Sequence, residues 1–127
     1  MDGAGVMLIS LGHDIQLIEE LKERELLEPD LLFSQSEVNN IKTAKCSATR
    51  LAGYFSAKEA LFKAINLPFQ WYWTDAEIIY NLNGRPYFKF AKKITHYLKK
   101  KAICTELSIS HSGNYASSVV IVYYKNS

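Results

Sequence analysis

Apolar and polar positions in residues 1–45 predict a strand followed by two helices. Residues 6–11 are almost all aliphatic and stop at Gly12, which is typical of a buried strand. Apolar residues then recur at roughly helical spacing over residues 15–26, and Pro29 is expected to end this first helix. Because Ser34-Gln35-Ser36-Glu37 has the form of a capping box, a second, short helix is expected to begin there and to fade near Lys45.

The rest of the chain predicts a long helix, a basic helix and two hairpins. Residues 48–65 are mostly apolar and lack proline, which favours a largely buried central helix. Residues 77–82 and 87–90 flank Asn83-Gly84, a strong signal for a hairpin turn whose two central positions have positive φ. The second of these strands is expected to begin at an edge or after Pro86. Residues 92–101 predict a basic amphipathic helix, and residues 106–110 and 116–124 predict a second hairpin.

Helices and hairpins are segregated along the chain, which predicts an α+β fold with an antiparallel sheet and a long central helix. A chain of 127 residues that is 48% hydrophobic fits one domain over residues 1–127. No apolar run approaches the roughly 18 residues of a membrane-spanning helix. The amino terminus lacks the basic segment of a secretory signal, so the cytoplasm is the expected location.

The net charge of +2 is the sum of an acidic and a basic part of the chain. Residues 1–40 carry nine acidic residues against Lys22 and Arg24, a balance of −7. Residues 41–127 carry thirteen basic residues against four acidic ones, a balance of +9. The basic part is expected either to meet a polyanion, whether phosphates, nucleic acid or an acidic protein, or to form a solvated face.

Besides Arg50 near its start, three charged residues interrupt the apolar central helix. Glu59 and Lys63 share a narrow polar stripe, where an exposed i,i+4 ion pair would account for both. Lys58 falls in the middle of the apolar face, so its ammonium group is expected to reach the helix edge, a partner or an anion. A carboxylate flanked by two lysines on one helix is a plausible phosphate clamp.

Asp14, just after the predicted first strand, is the other candidate. As a lone residue it would be the N-cap of the first helix. Together with Glu59 it could instead share a hard divalent cation, because Mg²⁺ is commonly held by one or two carboxylates together with substrate phosphates and water.

Several stretches of the chain resemble the holo-acyl-carrier-protein synthases, which are 4′-phosphopantetheinyl transferases. Gly12-His13-Asp14-Ile15 is similar to the family's Gly-x-Asp motif. Residues 51–60, LAGYFSAKEA, together with Lys63 are similar to its central helix motif. Asn83-Gly84-Arg85-Pro86 and residues 107–112, LSISHS, are similar to its later motifs. Their order and spacing agree from residue 9 to residue 122.

The resemblance implies transfer of phosphopantetheine from coenzyme A to a serine of an apo acyl carrier protein, as in fatty acid biosynthesis, with release of adenosine 3′,5′-bisphosphate. It implies that Asp14 and Glu59 bind Mg²⁺ and that Lys63 contacts the pyrophosphate. The serine proton could go to Glu59, Asp14 or a metal-bound water. The residues that would bind coenzyme A are Arg50, Lys58, Lys63, Gly84, Arg85, Pro86, His111 and Ser112.

The resemblance also implies a homotrimer with its active site between neighbouring subunits, and neither a nucleic acid nor a membrane as partner. The aromatic loop of residues 69–73 is the kind of surface that an interface covers. Tyr54 stands where the family commonly has arginine, so a contact with the tail phosphate is either lost or supplied by Arg50. The first helix carries Glu19, Glu20 and Glu23 where the family often offers basic residues to the acidic carrier.

Two other functions stay open at this point. The chain could be a homologue that binds coenzyme A without transferring from it. Alternatively, Lys89, Lys92, Lys93 and residues 99–101 could hold nucleic acid or an acidic protein, although the glycine and aromatic signature of RNA-binding domains does not accompany them.

Overall fold

Two antiparallel sheets and three helices make up the computed structural model, which describes residues 5–21, 26 and 32–125. A three-stranded sheet has the order β1-β5-β4, and β2 and β3 form a separate hairpin. The strands are β1 (Val6–Leu17), β2 (Ala76–Tyr80), β3 (Pro86–Phe90), β4 (Ile103–Ser112) and β5 (Tyr115–Lys125). The helices are α1 (Gln35–Lys42), α2 (Ser47–Ala64) and α3 (Lys92–Lys100). The predicted α+β fold with antiparallel strands is confirmed.

The central helix α2 packs across the inner face of the three-stranded sheet, against β1 and β5. Along β5 the buried side chains alternate with less buried ones, because successive residues of a strand point to opposite faces. The inner set on β5 is Ala116, Ser118, Val120 and Val122. The prediction of a long, buried central helix is therefore confirmed. One apolar residue of this helix is not buried, since Phe62 is 63% exposed.

The predicted capping box at the start of α1 is present. The Ser34 hydroxyl accepts from the backbone N–H of Glu37, and the Glu37 carboxylate accepts from the N–H of Ser34. The helix ends at Lys42, one turn before the predicted limit near Lys45.

The first strand is longer than predicted and contains Gly12 rather than stopping there. A Cβ at Gly12 would collide with the carbonyl oxygen of Ala60, so glycine is required by the close approach of α2 and not by a turn. The strand pairs with β5 as far as Leu17, and Asp14 lies opposite Ser118. The predicted first helix is therefore wrong over residues 15–17, and Asp14 is not an N-cap.

A short 3-10 turn, Ile18–Glu20, follows β1. Lys22, Glu23 and Arg24, and the predicted helix end at Pro29, lie outside the described residues. In the part of the chain that the structure describes, no helix is both long and apolar enough to cross a membrane.

Both predicted hairpins and the basic helix are present, with one difference in turn geometry. In the first hairpin, Gly84 has φ of 80°, whereas Asn83 does not have the positive φ expected of it. The side chain of Asn81 closes this loop instead, because its oxygen accepts from the backbone N–H groups of Asn83 and Arg85. Strand β3 begins at Pro86, one residue before the predicted start at Tyr87.

Candidate active site

The carboxylate of Asp14 and the ammonium group of Lys63 meet where β1 packs on α2. Asp14 is two residues from Gly12 and therefore points to the same, helix-facing side of the strand. Lys63 Nζ donates to Asp14 Oδ1 at 3.1 Å and to the carbonyl oxygen of His13 at 3.0 Å. The ion pair of Lys63 is thus with Asp14 and not the predicted i,i+4 pair with Glu59. The Lys63 side chain is 50% exposed, so this ammonium group remains accessible to a ligand.

Glu59 lies one helical turn before Lys63 and interacts electrostatically with the same groups. Burial raises the pKa of the Glu59 carboxyl above its usual value, the nearby Asp14 carboxylate raises it further, and Lys63 opposes both effects. Two carboxylates that repel each other beside a single lysine form a suitable donor set for a hard divalent cation. Within the described residues no third His, Cys, Asp or Glu completes a metal-binding cluster. The remaining ligands of such a cation would therefore have to be water and substrate oxygens.

A cleft of about 650 Å³ lies between the first half of α2, the β2-β3 hairpin and the end of β4. Four residues predicted to bind the ligand line it, namely Arg50, Gly84, Pro86 and His111. The other lining residues are Ala44, Lys45, Cys46, Thr49, Gly53, Tyr54, Tyr80, Ile109 and Ser110. The predicted ligands Arg85 and Ser112 are next in sequence to lining residues but do not line the cleft themselves.

Arg50 is held in the cleft by two tyrosine rings. Its guanidinium carbon lies 6.0 Å from the ring centroid of Tyr54 and 5.9 Å from that of Tyr80. The two tyrosine hydroxyls are 3.0 Å apart. Burial raises the pKa of the Tyr54 hydroxyl and the hydrogen bond to Tyr80 raises it further, so the Tyr54 hydroxyl stays neutral. Tyr80 was not predicted from the sequence, although its place opposite Pro86 in the hairpin would follow from the register.

Lys58 takes no part in either group of residues. Its Nζ donates to Glu37 Oε1 at 3.0 Å, to the Trp73 carbonyl at 2.8 Å and to the Ala76 carbonyl at 2.6 Å. Both side chains of the Lys58–Glu37 ion pair are fully buried. The prediction that Lys58 contacts a phosphate is therefore wrong, because all three of its donor hydrogens are used inside the core. Glu37 was predicted only as part of the capping box.

The carboxylate pair and the cleft lie at opposite edges of the sheet. The cleft is at the β4 edge and Asp14 is on β1, two strand spacings or roughly 10 Å away. Along α2, Glu59 and Lys63 follow the last cleft residue, Tyr54, by roughly 8 and 14 Å at about 1.5 Å per residue. One chain therefore brings Asp14, Glu59 and Lys63 together, but does not bring them together with Arg50 and His111.

The chain is similar in sequence to known proteins over most of its length. The sequence model of the 4′-phosphopantetheinyl transferase superfamily matches residues 10–120. The holo-[acyl-carrier-protein] synthase of Fusobacterium nucleatum is 36% identical over 121 residues, which cover 91% of this chain and 99% of that protein. The enzyme of the same name from Caldanaerobacter subterraneus is 35% identical over 120 residues, covering 91% of this chain and 94% of that protein.

Solved structures of holo-[acyl-carrier-protein] synthases have the same fold. The enzyme from Neisseria meningitidis superposes with a TM-score of 0.74 at 20% identity, covering 91% of this chain and 98% of that one. The Helicobacter pylori enzyme, solved in complex with coenzyme A, superposes with a TM-score of 0.71 at 26% identity. That match covers 88% of this chain and 98% of the Helicobacter pylori chain.

Proposed function

The chain belongs to the 4′-phosphopantetheinyl transferase superfamily, and from this premise we propose that it is a holo-[acyl-carrier-protein] synthase. It transfers the phosphopantetheine group of coenzyme A to a serine hydroxyl of an apo acyl carrier protein. The observation that carries this proposal is the cluster of Asp14, Glu59 and Lys63 on a fold whose relatives bear that name. The cytoplasm stays the expected location.

Each residue of the cluster has a role in this reaction. Asp14 and Glu59 would hold Mg²⁺, which supplies positive charge to the pyrophosphate oxygens when bound. Lys63 contacts the same pyrophosphate and neutralises the charge that develops on the departing bisphosphate. The serine oxygen forms a bond to the phosphorus that carries pantetheine while the bond from that phosphorus to the bridging oxygen breaks. Glu59 is the favoured acceptor for the serine proton, because burial and the nearby Asp14 carboxylate raise the pKa of its carboxyl.

The cleft holds the nucleotide end of coenzyme A in this proposal. Its volume lies within the range of roughly 300–1,000 Å³ that is usual for small-molecule sites. Arg50 supplies a cation from one turn before Tyr54, and His111 and Lys45 supply further hydrogen-bond donors. Gly84 and Pro86 form the wall opposite α2. Arg85 and Ser112 would have to contact the ligand from outside the cleft.

A homotrimer accounts for the separation of the cluster from the cleft. The cleft of one copy would face Asp14, Glu59 and Lys63 of its neighbour and so complete the site. The outer face of β1 supports association, because Leu11 and Ile15 are more than half exposed and no element of the described chain covers them. In the β1-β5 register these residues adjoin Ile121 and Ser117, which extends the surface onto β5.

Transfer is tested by incubating the protein with coenzyme A, Mg²⁺ and an apo carrier protein. Mass spectrometry should detect the addition of one phosphopantetheine group to the carrier. The Glu59→Gln variant should lose most of this activity, whereas Glu20→Gln, which alters an exposed carboxylate in the turn after β1, should retain it. Coenzyme A binding without any transfer by the unaltered protein would favour the non-catalytic homologue instead.

The shared site is tested by mixing two inactive variants. Glu59→Gln removes a carboxylate of the cluster, and His111→Ala removes a cleft residue. A homotrimer of either variant alone therefore contains no intact site. When the two chains are coexpressed, some neighbouring pairs combine an intact cluster with an intact cleft, and activity should return. The absence of recovery in a mixed oligomer, or a light-scattering mass of 14.5 kDa for the unaltered protein, would contradict the shared site.

A further inference from the structure

The guanidinium group of Arg50 is held in the cleft by aromatic rings rather than by a carboxylate. Among the residues that the structure describes, Arg50 forms no salt bridge. It is the fourth residue of α2, whose first turn contains no acidic residue, and the positive end of the helix dipole disfavours a cation there. The rings of Tyr54 and Tyr80 lie almost equally far from the guanidinium carbon, at 6.0 and 5.9 Å. Because the face of each ring attracts a cation, the two rings together set the position of this charge.

The two rings are tied to each other and to the core. Tyr54 is fully buried, and its ring packs against that of Phe33 with centroids 6.5 Å apart. The hydroxyl of Tyr54 lies 3.0 Å from the hydroxyl of Tyr80. Tyr80 is partly exposed, so this hydrogen bond anchors its ring to a residue that cannot move without disturbing the core.

The backbone that carries Tyr80 is fixed as well. Tyr80 is the last residue of β2 and pairs with Pro86 of β3. Directly after it, the N–H of Asn81 donates to the carbonyl of Arg85 at 3.0 Å, and the side-chain oxygen of Asn81 accepts from the N–H groups of Asn83 and Arg85. The ring is therefore in place before a ligand binds, which lowers the entropy lost on binding.

The proposed function identifies the ligand group that meets this cation. The pyrophosphate of coenzyme A reacts beside Lys63, whereas the cleft takes the nucleotide end, whose remaining anionic group is the tail phosphate. A phosphate monoester carries between one and two negative charges at neutral pH and can accept two parallel hydrogen bonds from a guanidinium group. Arg50 is therefore expected to contact the tail phosphate.

We propose that Tyr80 is the positioning residue that makes the protein select coenzyme A over dephospho-coenzyme A, which lacks the tail phosphate. The inference rests on the proposed function, from which the ligand is taken. Tyr80 acts through Arg50 and does not touch the reacting atoms. Without its ring, the guanidinium group packs against Tyr54 alone and the arginine side chain samples more rotamers, so its charge meets the phosphate less often.

The test compares the Michaelis constants for coenzyme A and dephospho-coenzyme A in variants of Tyr80. Tyr80→Leu should raise KM for coenzyme A about two- to fivefold, the range expected for one cation–π contact, with kcat and KM for dephospho-coenzyme A nearly unchanged. Tyr80→Phe keeps the ring and should restore most of the affinity. Tyr87→Leu, which alters an exposed tyrosine on the other strand of the same hairpin, is the matched control and should change neither constant. Melting temperatures check that the variants fold.

The same change in an Arg50→Met background shows whether Tyr80 acts through Arg50. Once the guanidinium group is gone, Tyr80→Leu should raise KM for coenzyme A no further. An equal rise in both backgrounds would overturn the inference, because Tyr80 would then contact the ligand itself. An equal rise in KM for dephospho-coenzyme A would also overturn it, since Tyr80 would then only support the hairpin.

If the unaltered protein transfers nothing, calorimetry with adenosine 3′,5′-bisphosphate and adenosine 5′-monophosphate separates the two proposals. Only the first of these nucleotides carries the tail phosphate. Weaker binding of the bisphosphate alone by Tyr80→Leu would support the positioning role while the proposed function fails. Equal binding of the two nucleotides by the unaltered protein, or no binding of either, would refute the inference.

Discussion

Replacement of Lys58 by methionine tests whether this lysine is a core residue rather than a phosphate ligand. The side chain is fully buried, and its Nζ makes an ion pair with Glu37 and two hydrogen bonds to backbone carbonyls. Methionine fills a similar volume but provides no donor. The variant therefore leaves the Glu37 carboxylate buried without its counter-ion. It also leaves the carbonyl oxygens of Trp73 and Ala76 without the hydrogen bonds from Nζ.

The expected loss in the free energy of unfolding is about 3–5 kcal/mol, the usual cost of removing one partner of a buried ion pair. Glu37 keeps hydrogen bonds from the N–H groups of Ser34 and Ile78, which favours the lower end of that range. A loss of this size is a large part of the roughly 5–15 kcal/mol that stabilises a typical protein. Lys63→Met, on the same helix, removes a half-exposed ion pair and should cost only about 0–1 kcal/mol.

Urea unfolding followed by circular dichroism and by tryptophan fluorescence measures both losses, at two protein concentrations so that dissociation of an oligomer is recognised. The double variant Lys58→Met/Glu37→Gln should lose less than the sum of the two single variants, because it leaves no lone charge in the core. A Lys58→Met variant that is no less stable than Lys63→Met would refute the reasoning. Additive losses in the double variant would show that the two side chains are not coupled.

Three further predictions concern the site. Gly12→Ala should lower both stability and kcat, since its Cβ would push the Ala60 backbone, and with it Glu59, away from β1; thermal melting and the transfer assay measure this. Arg50→Met should raise KM for coenzyme A by about tenfold, as expected for loss of one charge-assisted hydrogen bond, with kcat nearly unchanged; an unaltered KM would exclude Arg50 from the nucleotide site. Asp14→Asn should weaken the dependence of kcat on Mg²⁺, and removal of divalent cations with a chelator should abolish transfer by the unaltered protein.

The fold could be predicted wherever the pattern of side chains is local. The capping box before α1, the apolar run of α2 and the turn residues of the hairpins each determine an element within a few residues. The end of the first strand could not be predicted in this way. A glycine commonly ends a strand, but Gly12 lies within β1 and allows the backbone of α2 to approach it closely. Its extension to Leu17 depends on pairing with β5, about a hundred residues later in the chain, which no local pattern contains.

The candidate site could be predicted in part, because charged residues in apolar segments are conspicuous. Glu59 stands out for that reason and Asp14 for its place just after the first apolar run, and the structure places both beside Lys63. Arg50 and His111 follow from the resemblance and line the cleft. The separation of the cleft from the cluster was not expected from the residues alone, because the order β1-β5-β4 puts the two sequence motifs at opposite edges of the sheet.

Lys58 and Lys63 show why position on a helix does not by itself identify a phosphate ligand. Both are lysines of α2 five residues apart, and each is within one turn of Glu59. Lys58 donates to three acceptors in the core and has no hydrogen left for a ligand. Lys63 donates to two acceptors at the surface and keeps one hydrogen and half of its side chain accessible. Glu37 and the segment after α2 supply three hydrogen-bond acceptors to Lys58 and none to Lys63. This difference decides which lysine can bind a substrate.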